Sequence, residues 1–126
     1  MSSLDVLKNV LKLLEARDLE GFLAMLSSDC IIMKDNGEKI AHGPDELRGF
    51  YTPIFSGQES LKITLADEFE TGSIIACREV NTDLEVDGVK TNMDSVWVYR
   101  IVDGKIAYMH FFSPTAEADH AMKSLA

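Results

Sequence analysis

A chain of 126 residues, 46% of them hydrophobic, has the length of one globular domain over residues 1–126 and can bury roughly two-thirds of its unfolded surface. Its formal net charge of -9, with acids scattered rather than blocked, argues against nucleic acid or an anionic membrane as partner, because both recruit a basic face. Cys30 and Cys77 stand far apart and neither forms a C-x-x-C pair, so they read as two buried thiols in a reducing cytoplasm rather than a disulfide or a redox pair.

Leu4, Leu7, Val10, Leu11 and Leu14 recur at helical spacing with Lys8, Lys12 and Glu15 opposite. They predict a first helix from about Leu4 to Ala16, capped by Ser2 or Ser3 with Asp5 in its first turn. Arg17-Asp18 breaks the pattern, and Asp18 caps a short second helix with Leu19, Phe22, Leu23 and Leu26 on its buried side. A strand from Cys30 to Lys34, a turn at Asp35-Asn36-Gly37 and a strand from Lys39 to His42 form a first hairpin. Gly43-Pro44-Asp45-Glu46 opens a third helix whose apolar side is Leu47, Phe50, Tyr51 and Ile54; Pro53 is expected to bend it or end its first part, and Ser56-Gly57 closes it.

From Leu61 the chain changes to strands, Leu61 to Glu70 and Ser73 to Glu85, with turns at Thr71-Gly72 and Asp87-Gly88. A long hairpin follows from Met93 to Pro114. Trp97, Val98, Tyr99, Ile101 and Val102 run into Asp103-Gly104, and Ile106, Tyr108, Met109, Phe111 and Phe112 run away from it. Thr115 to Leu125 reads as a weak helix or a frayed tail. The N-terminus lacks the charge-then-apolar pattern of a signal peptide, and no apolar stretch approaches membrane-spanning length; cytoplasmic residence is the expectation. The order of elements gives an α+β fold, three helices on one side of a strongly curved, mostly antiparallel sheet, with leftover space as an apolar pocket for a small molecule.

Alternation sorts the long hairpin into faces. Ser95, Trp97, Tyr99 and Ile101 point inward with Met109, Phe111 and Ser113, while Val96, Val98, Arg100, Tyr108, His110 and Phe112 point outward. The apolar outer face predicts a homodimer, with His110 at its interface. Trp97 and Tyr99 either fix a ligand through their polar tips or fill the core. Met33 and Met109 are pocket walls or, with Met25 and Met93, fillers of irregular gaps, and His42 is a ligand contact or proton carrier or simply ends its strand. Glu79, Asn81 and Asp83, spaced by two, read as a solvated stripe. No His or Cys cluster has metal-ligand spacing, so neither metal nor cofactor is expected. Asp35, before Asn36-Gly37, reads either as a pocket base or as a turn residue whose carboxylate caps the Gly37 N–H.

Ala16-Arg17-Asp18-Leu19-Glu20-Gly21-Phe22, the run Leu26-Ser27-Ser28-Asp29-Cys30, the Gly43-x-x-x-Leu47-x-x-Phe50-Tyr51 helix and Tyr99-Arg100-Ile101-Val102-Asp103-Gly104-Lys105-Ile106 together resemble the nuclear transport factor 2-like superfamily. Its SnoaL-like and ketosteroid isomerase-like members are the most similar. The resemblance spans roughly Leu4 to Ser113. It implies a cone-shaped, cystatin-like barrel with a deep apolar pocket, often dimeric through the outer sheet face. It also implies a general base at Asp35, supported by Tyr51, with Phe50, Trp97, Tyr99 and Met109 among the ligand contacts. The steroid isomerase's donor pair falls at Val10 and near Trp97, so that reaction is not expected. The last strand, Met109-His110-Phe111-Phe112-Ser113, has no acid of the polyketide cyclase kind, and Asp94 and Arg100 lack the epoxide hydrolase spacing. Two functions follow: a cofactor-independent isomerase, cyclase or dehydratase using one pocket aspartate, or a binding module of the same fold without chemistry.

Overall fold

In the computed structural model the described residues are 2–57, 62–86 and 89–112, with side chains left aside between 81 and 93. The elements run α1 (Ser3–Glu15), α2 (Leu19–Ala24), β1 (Leu26–Lys34), β2 (Glu38–His42), α3 (Pro44–Gly57), β3 (Lys62–Thr71), β4 (Ile74–Val86), β5 (Val89–Val102) and β6 (Lys105–Phe112). Ser113 and the tail from 114 onward lie outside the described residues, as do Leu61 and the Asp87-Gly88 turn.

Local chemistry accounts for the helix ends. Ser2 accepts from the Asp5 N–H at 3.1 Å, and Asp5 returns the contact to the Ser2 N–H, a capping box. Asp18 accepts from the Gly21 N–H at 2.9 Å and starts α2. Between them Arg17 adopts a left-handed φ of 60° and donates through Nη2 to the Phe55 carbonyl near the end of α3. α3 continues through Pro53 to Gly57, so the proline does not end it. Nearby, the Thr52 hydroxyl donates to the Arg48 carbonyl at 2.6 Å and Ser56 to the Thr52 carbonyl at 2.9 Å.

Six strands form one sheet in the order β2-β1-β6-β5-β4-β3, with β1 parallel to β6 and every other pair antiparallel. The expected α+β architecture with a mostly antiparallel sheet is therefore present. Asp103 and Gly104 have φ of 52° and 74°, as a tight hairpin between twisted strands requires. Leu26 begins β1 instead of closing the second helix. It pairs with Ile106, whose N–H donates to the Met25 carbonyl at 2.9 Å, so pairing with a distant strand overrides the helical spacing.

α1 packs on β3, β4 and β5, and α3 on β1 and β2. Their apolar stripes meet the inner sheet face in one core containing Leu7, Val10, Leu47, Ile32, Ile75, Ile106 and Met109, all nearly fully buried. Each such side chain contributes roughly 2 kcal/mol of burial. No helix among the described residues is long and apolar enough to cross a membrane.

Candidate functional site

The inner face of β4 and β5 carries Ile75, Cys77 and Glu79 beside Ser95, Trp97 and Tyr99, with Glu79 paired to Ser95, Cys77 to Trp97 and Ile75 to Tyr99. Glu79 is only 3% exposed and Ser95 5%; they are the buried polar side chains among the described residues. The solvated stripe expected at Glu79 is thus corrected, while the side chains of Asn81 and Asp83 lie outside the described ones.

The cause is plain alternation along β4: Glu79 shares the parity of buried Ile75 and Cys77, and the β4–β5 ladder is regular from Ile74–Arg100 to Asn81–Met93, its one-residue shift coming only between Asn81 and Leu84.

The Tyr99 hydroxyl donates to Glu79 Oε2. Burial pushes the Glu79 carboxyl up to about 7, against the opposing pull of that hydrogen bond. Tyr99 is raised above the usual tyrosine range, first by burial and then by the neighbouring carboxylate. Tyr51, on α3, is also buried and raised, chiefly by desolvation, and its hydroxyl donates to Met109 Sδ at 3.5 Å. Phe22 and Phe50 back the Tyr51 ring edge-on at 4.7 and 4.9 Å. Trp97 stacks on Tyr99 with centroids 5.5 Å apart and planes within 7°, and Phe111 lies 4.9 Å from Trp97. The Trp97 indole N–H donates to Ser95 Oγ at 2.9 Å. Burial also raises Cys30 and Cys77 to about 12, which leaves both as unreactive thiols.

Of the residues singled out from sequence, Tyr51, Trp97, Tyr99, Met109 and Phe111 come together on this inner face, with Phe50 packed on Tyr51. Met33 and His42 do not join them. Met33 pairs with His110 and His42 with Ile31, on the opposite face from the buried Ile32, Ala41 and Met109. Asp35 sits half-buried in the β1–β2 turn at φ 44°, its N–H donating to the Phe111 carbonyl at 2.9 Å. His110 Nε2 approaches the Asp35 carbonyl oxygen at 2.8 Å. A carbonyl only accepts, so Nε2 carries the proton, and in the neutral ring Nδ1 accepts from the Tyr108 hydroxyl at 2.9 Å.

The outer face is different in character. Ile74, Val96, Val102 and Phe112 are each about 40% exposed there. A hollow of about 1000 Å³ opens around Val98, Arg100 and Tyr108, edged by Ser27, Asp29 and Lys105. It lies across the sheet from Glu79. Among the described residues no group of three or more His, Cys, Asp or Glu is placed to hold a metal.

The sequence profile of the SnoaL-like domain matches residues 7–109. No curated protein matches the chain. An NTF2-like protein of unknown function from Burkholderia pseudomallei is similar in structure, with 22% identity, a TM-score of 0.76, and coverage of 95% of this chain and 97% of that one. A Mycobacterium tuberculosis protein in complex with estradiol-17beta-hemisuccinate shares 24% identity at a TM-score of 0.74, over 88% of this chain and 93% of its own. TerC, co-crystallised with polyporic acid, shares 15% identity at a TM-score of 0.74, over 96% and 98%. At these identities the likeness is one of fold.

Proposed function

The chain belongs to the SnoaL-like domain family, matched over residues 7–109, and from that premise we propose that the inner sheet face is a small-molecule site in which Glu79 exchanges a proton with the ligand. The reaction type is a cofactor-independent isomerisation, cyclisation or dehydration. The observation that carries this reading is a carboxyl at 3% exposure, tied to the Tyr99 hydroxyl and raised by burial to about 7. Such a group holds and releases a proton near neutral pH, where a solvated glutamate is fully ionised. The bound molecules of two similar structures support a small-molecule ligand. Glu79 takes the role that sequence resemblance gives to Asp35, and Tyr51 remains a supporting hydroxyl.

Solvent deuterium exchange into hydrophobic cyclic carbonyl and imine compounds, followed by proton NMR, tests the assignment. Glu79→Gln is expected to slow exchange roughly 10²–10⁴-fold, and Asp35→Asn less than tenfold. Loss of exchange in Asp35→Asn with Glu79→Gln unaffected would return the base to Asp35. The second reading, binding without chemistry, is favoured by the three inward donors, which already serve Glu79, Ser95 and Met109. A ligand that raises the Tm of wild type and Glu79→Gln equally, with no exchange, supports it.

We further propose that the outer face closes on a second copy of the chain. Exposed Ile74, Val96, Val102 and Phe112 supply apolar area, and Arg100 and Lys105 lie near Asp29 and Asp103, so one patch carries both signs of charge. Light scattering at micromolar concentration is expected to give twice the 14.0 kDa chain mass, and Val96→Asp to give the monomer.

A further inference from the structure

We propose that the ligand of the inner site carries positive charge on nitrogen, as an iminium or ammonium group held between the Glu79 carboxylate and the faces of Trp97, Tyr99 and Phe111. The inference rests on the reading of Glu79 as the ligand-facing group and concerns the ligand's charge.

Three observations converge. First, Glu79 is a buried acid with no described cation against it. Arg78, its neighbour on β4, points outward and pairs with Asp67 and Asp94 at 3.2 Å each. A buried carboxylate without a counter-charge is unfavourable, and a ligand cation would supply one. Second, the surroundings are aromatic. Trp97 stacks on Tyr99 and Phe111 lies 4.9 Å from Trp97, and ring faces of this kind attract a cation most strongly where water is excluded. Trp97 and Phe111, on the same face of the sheet as Glu79, are only partly buried. Third, the donors are engaged. Tyr99 serves Glu79, the Trp97 N–H serves Ser95, and Tyr51 serves Met109. An enolate oxygen formed from a neutral ketone would find none of these three free to stabilise it.

A cationic substrate removes that requirement. Glu79 carboxylate takes a proton from the carbon next to C=N⁺. The C–H electron pair becomes the new C=C bond, and the C=N⁺ π pair moves onto nitrogen. The products are a neutral carboxyl and a neutral enamine, so two opposite charges disappear in a site of low polarity, where annihilation is favoured.

The binding has a pH signature. A permanent cation prefers ionised Glu79, so its affinity rises as pH passes upward through about 7 and levels off above it. The other groups facing Glu79 do not titrate there. Tyr51 and Tyr99 are raised above the ordinary tyrosine range and Cys77 to about 12. From α1 the buried faces are Val6, Leu7, Val10 and Leu11, with Asp5, Lys8 and Lys12 exposed and Glu15 accepting from the Ile63 N–H. On β3, Glu68 is exposed. His42 is exposed on β2, and His110 faces outward.

The test uses benzyltrimethylammonium, its neutral carbon isostere neopentylbenzene, and phenylacetone, with Kd read from the fluorescence of the single tryptophan, Trp97. Benzyltrimethylammonium is expected to bind at least tenfold more tightly than neopentylbenzene at pH 8.5, and to weaken about eightfold on going to pH 5.5. Glu79→Gln should remove that pH dependence and lose tenfold at pH 8.5, while the same variant leaves neopentylbenzene unchanged. Tyr99→Phe should keep the preference for the cation and move its midpoint to higher pH. Equal binding of the cation and its isostere at pH 8.5, or binding by neither, overturns the proposal. Phenylacetone binding that strengthens toward pH 5.5 and depends on Glu79, without cation preference, overturns the charge inference but leaves Glu79 as the site's proton carrier. Binding of all three probes indifferent to Glu79→Gln overturns both.

Discussion

Glu79→Gln is expected to stabilise the folded protein by about 3 kcal/mol at pH 8 and to change it by less than about 1 kcal/mol at pH 5, read from urea denaturation at the two pH values. Burial raises this carboxyl from 4.5 to about 7 in the folded state. Between those values the folded chain keeps a proton that the unfolded chain has lost, so stability falls as pH rises through the window and is constant above it. The interval corresponds to about 3 kcal/mol. Glutamine has the same shape and no charge to desolvate, and its side-chain oxygen still accepts from Tyr99. A fold that keeps glutamate here gives up stability at neutral pH, which is the expected mark of a group retained for what it does.

Tyr99→Phe acts in the opposite direction. At pH 8 it removes a hydroxyl that donates to a buried carboxylate, and a loss of roughly 2 kcal/mol is expected. At pH 5 the carboxyl is neutral and the loss should be half of that or less. Because the Tyr99 hydrogen bond opposes the effect of burial, the midpoint of Glu79 should also move up from about 7. In the double variant with Glu79→Gln, the pH 8 and pH 5 losses should become equal. Unequal losses would mean that Tyr99 acts through some other group.

The elements that announced themselves did so through local chemistry. Ser2 with Asp5, Asp18 with Gly21, and Asp103-Gly104 each fix a cap or turn within a few residues, and each is found as the sequence implied. The inward set Ser95, Tyr99, Ile101 and Met109 also followed, because alternation along a regular strand needs no knowledge of its partner. What escaped is the face of β4: the polar spacing Glu79, Asn81, Asp83 reads as a solvated stripe, yet Glu79 pairs with buried Ser95 in a regular stretch of the β4–β5 ladder. The signal was present in part. Ile75 and Cys77 share the parity of Glu79, and continuing their apolar face by two residues would have found it. Met33 and His42 lie on the outer face because β1 turns Ile32 inward, against Ala41 of the adjoining β2 and Met109 of the distant β6. Asp35 carries a left-handed turn, as the Asp-Asn-Gly spelling offers, but the Gly37 N–H donates to the Lys34 carbonyl at 3.0 Å, and the ties of the Asp35 main chain to Phe111 and His110 come from a distant strand.

All of this depends on an acid enclosed on the inner face of the sheet with a tyrosine hydroxyl on it. A carbon-13 NMR titration of the glutamate side-chain carboxyls, with the Glu79 resonance assigned by its absence in Glu79→Gln, measures it directly. A midpoint near 7 is expected, moving upward in Tyr99→Phe. A midpoint at or below the ordinary 4.5, unmoved by Tyr99→Phe, would place Glu79 in water or against a cation and contradict the enclosed acid.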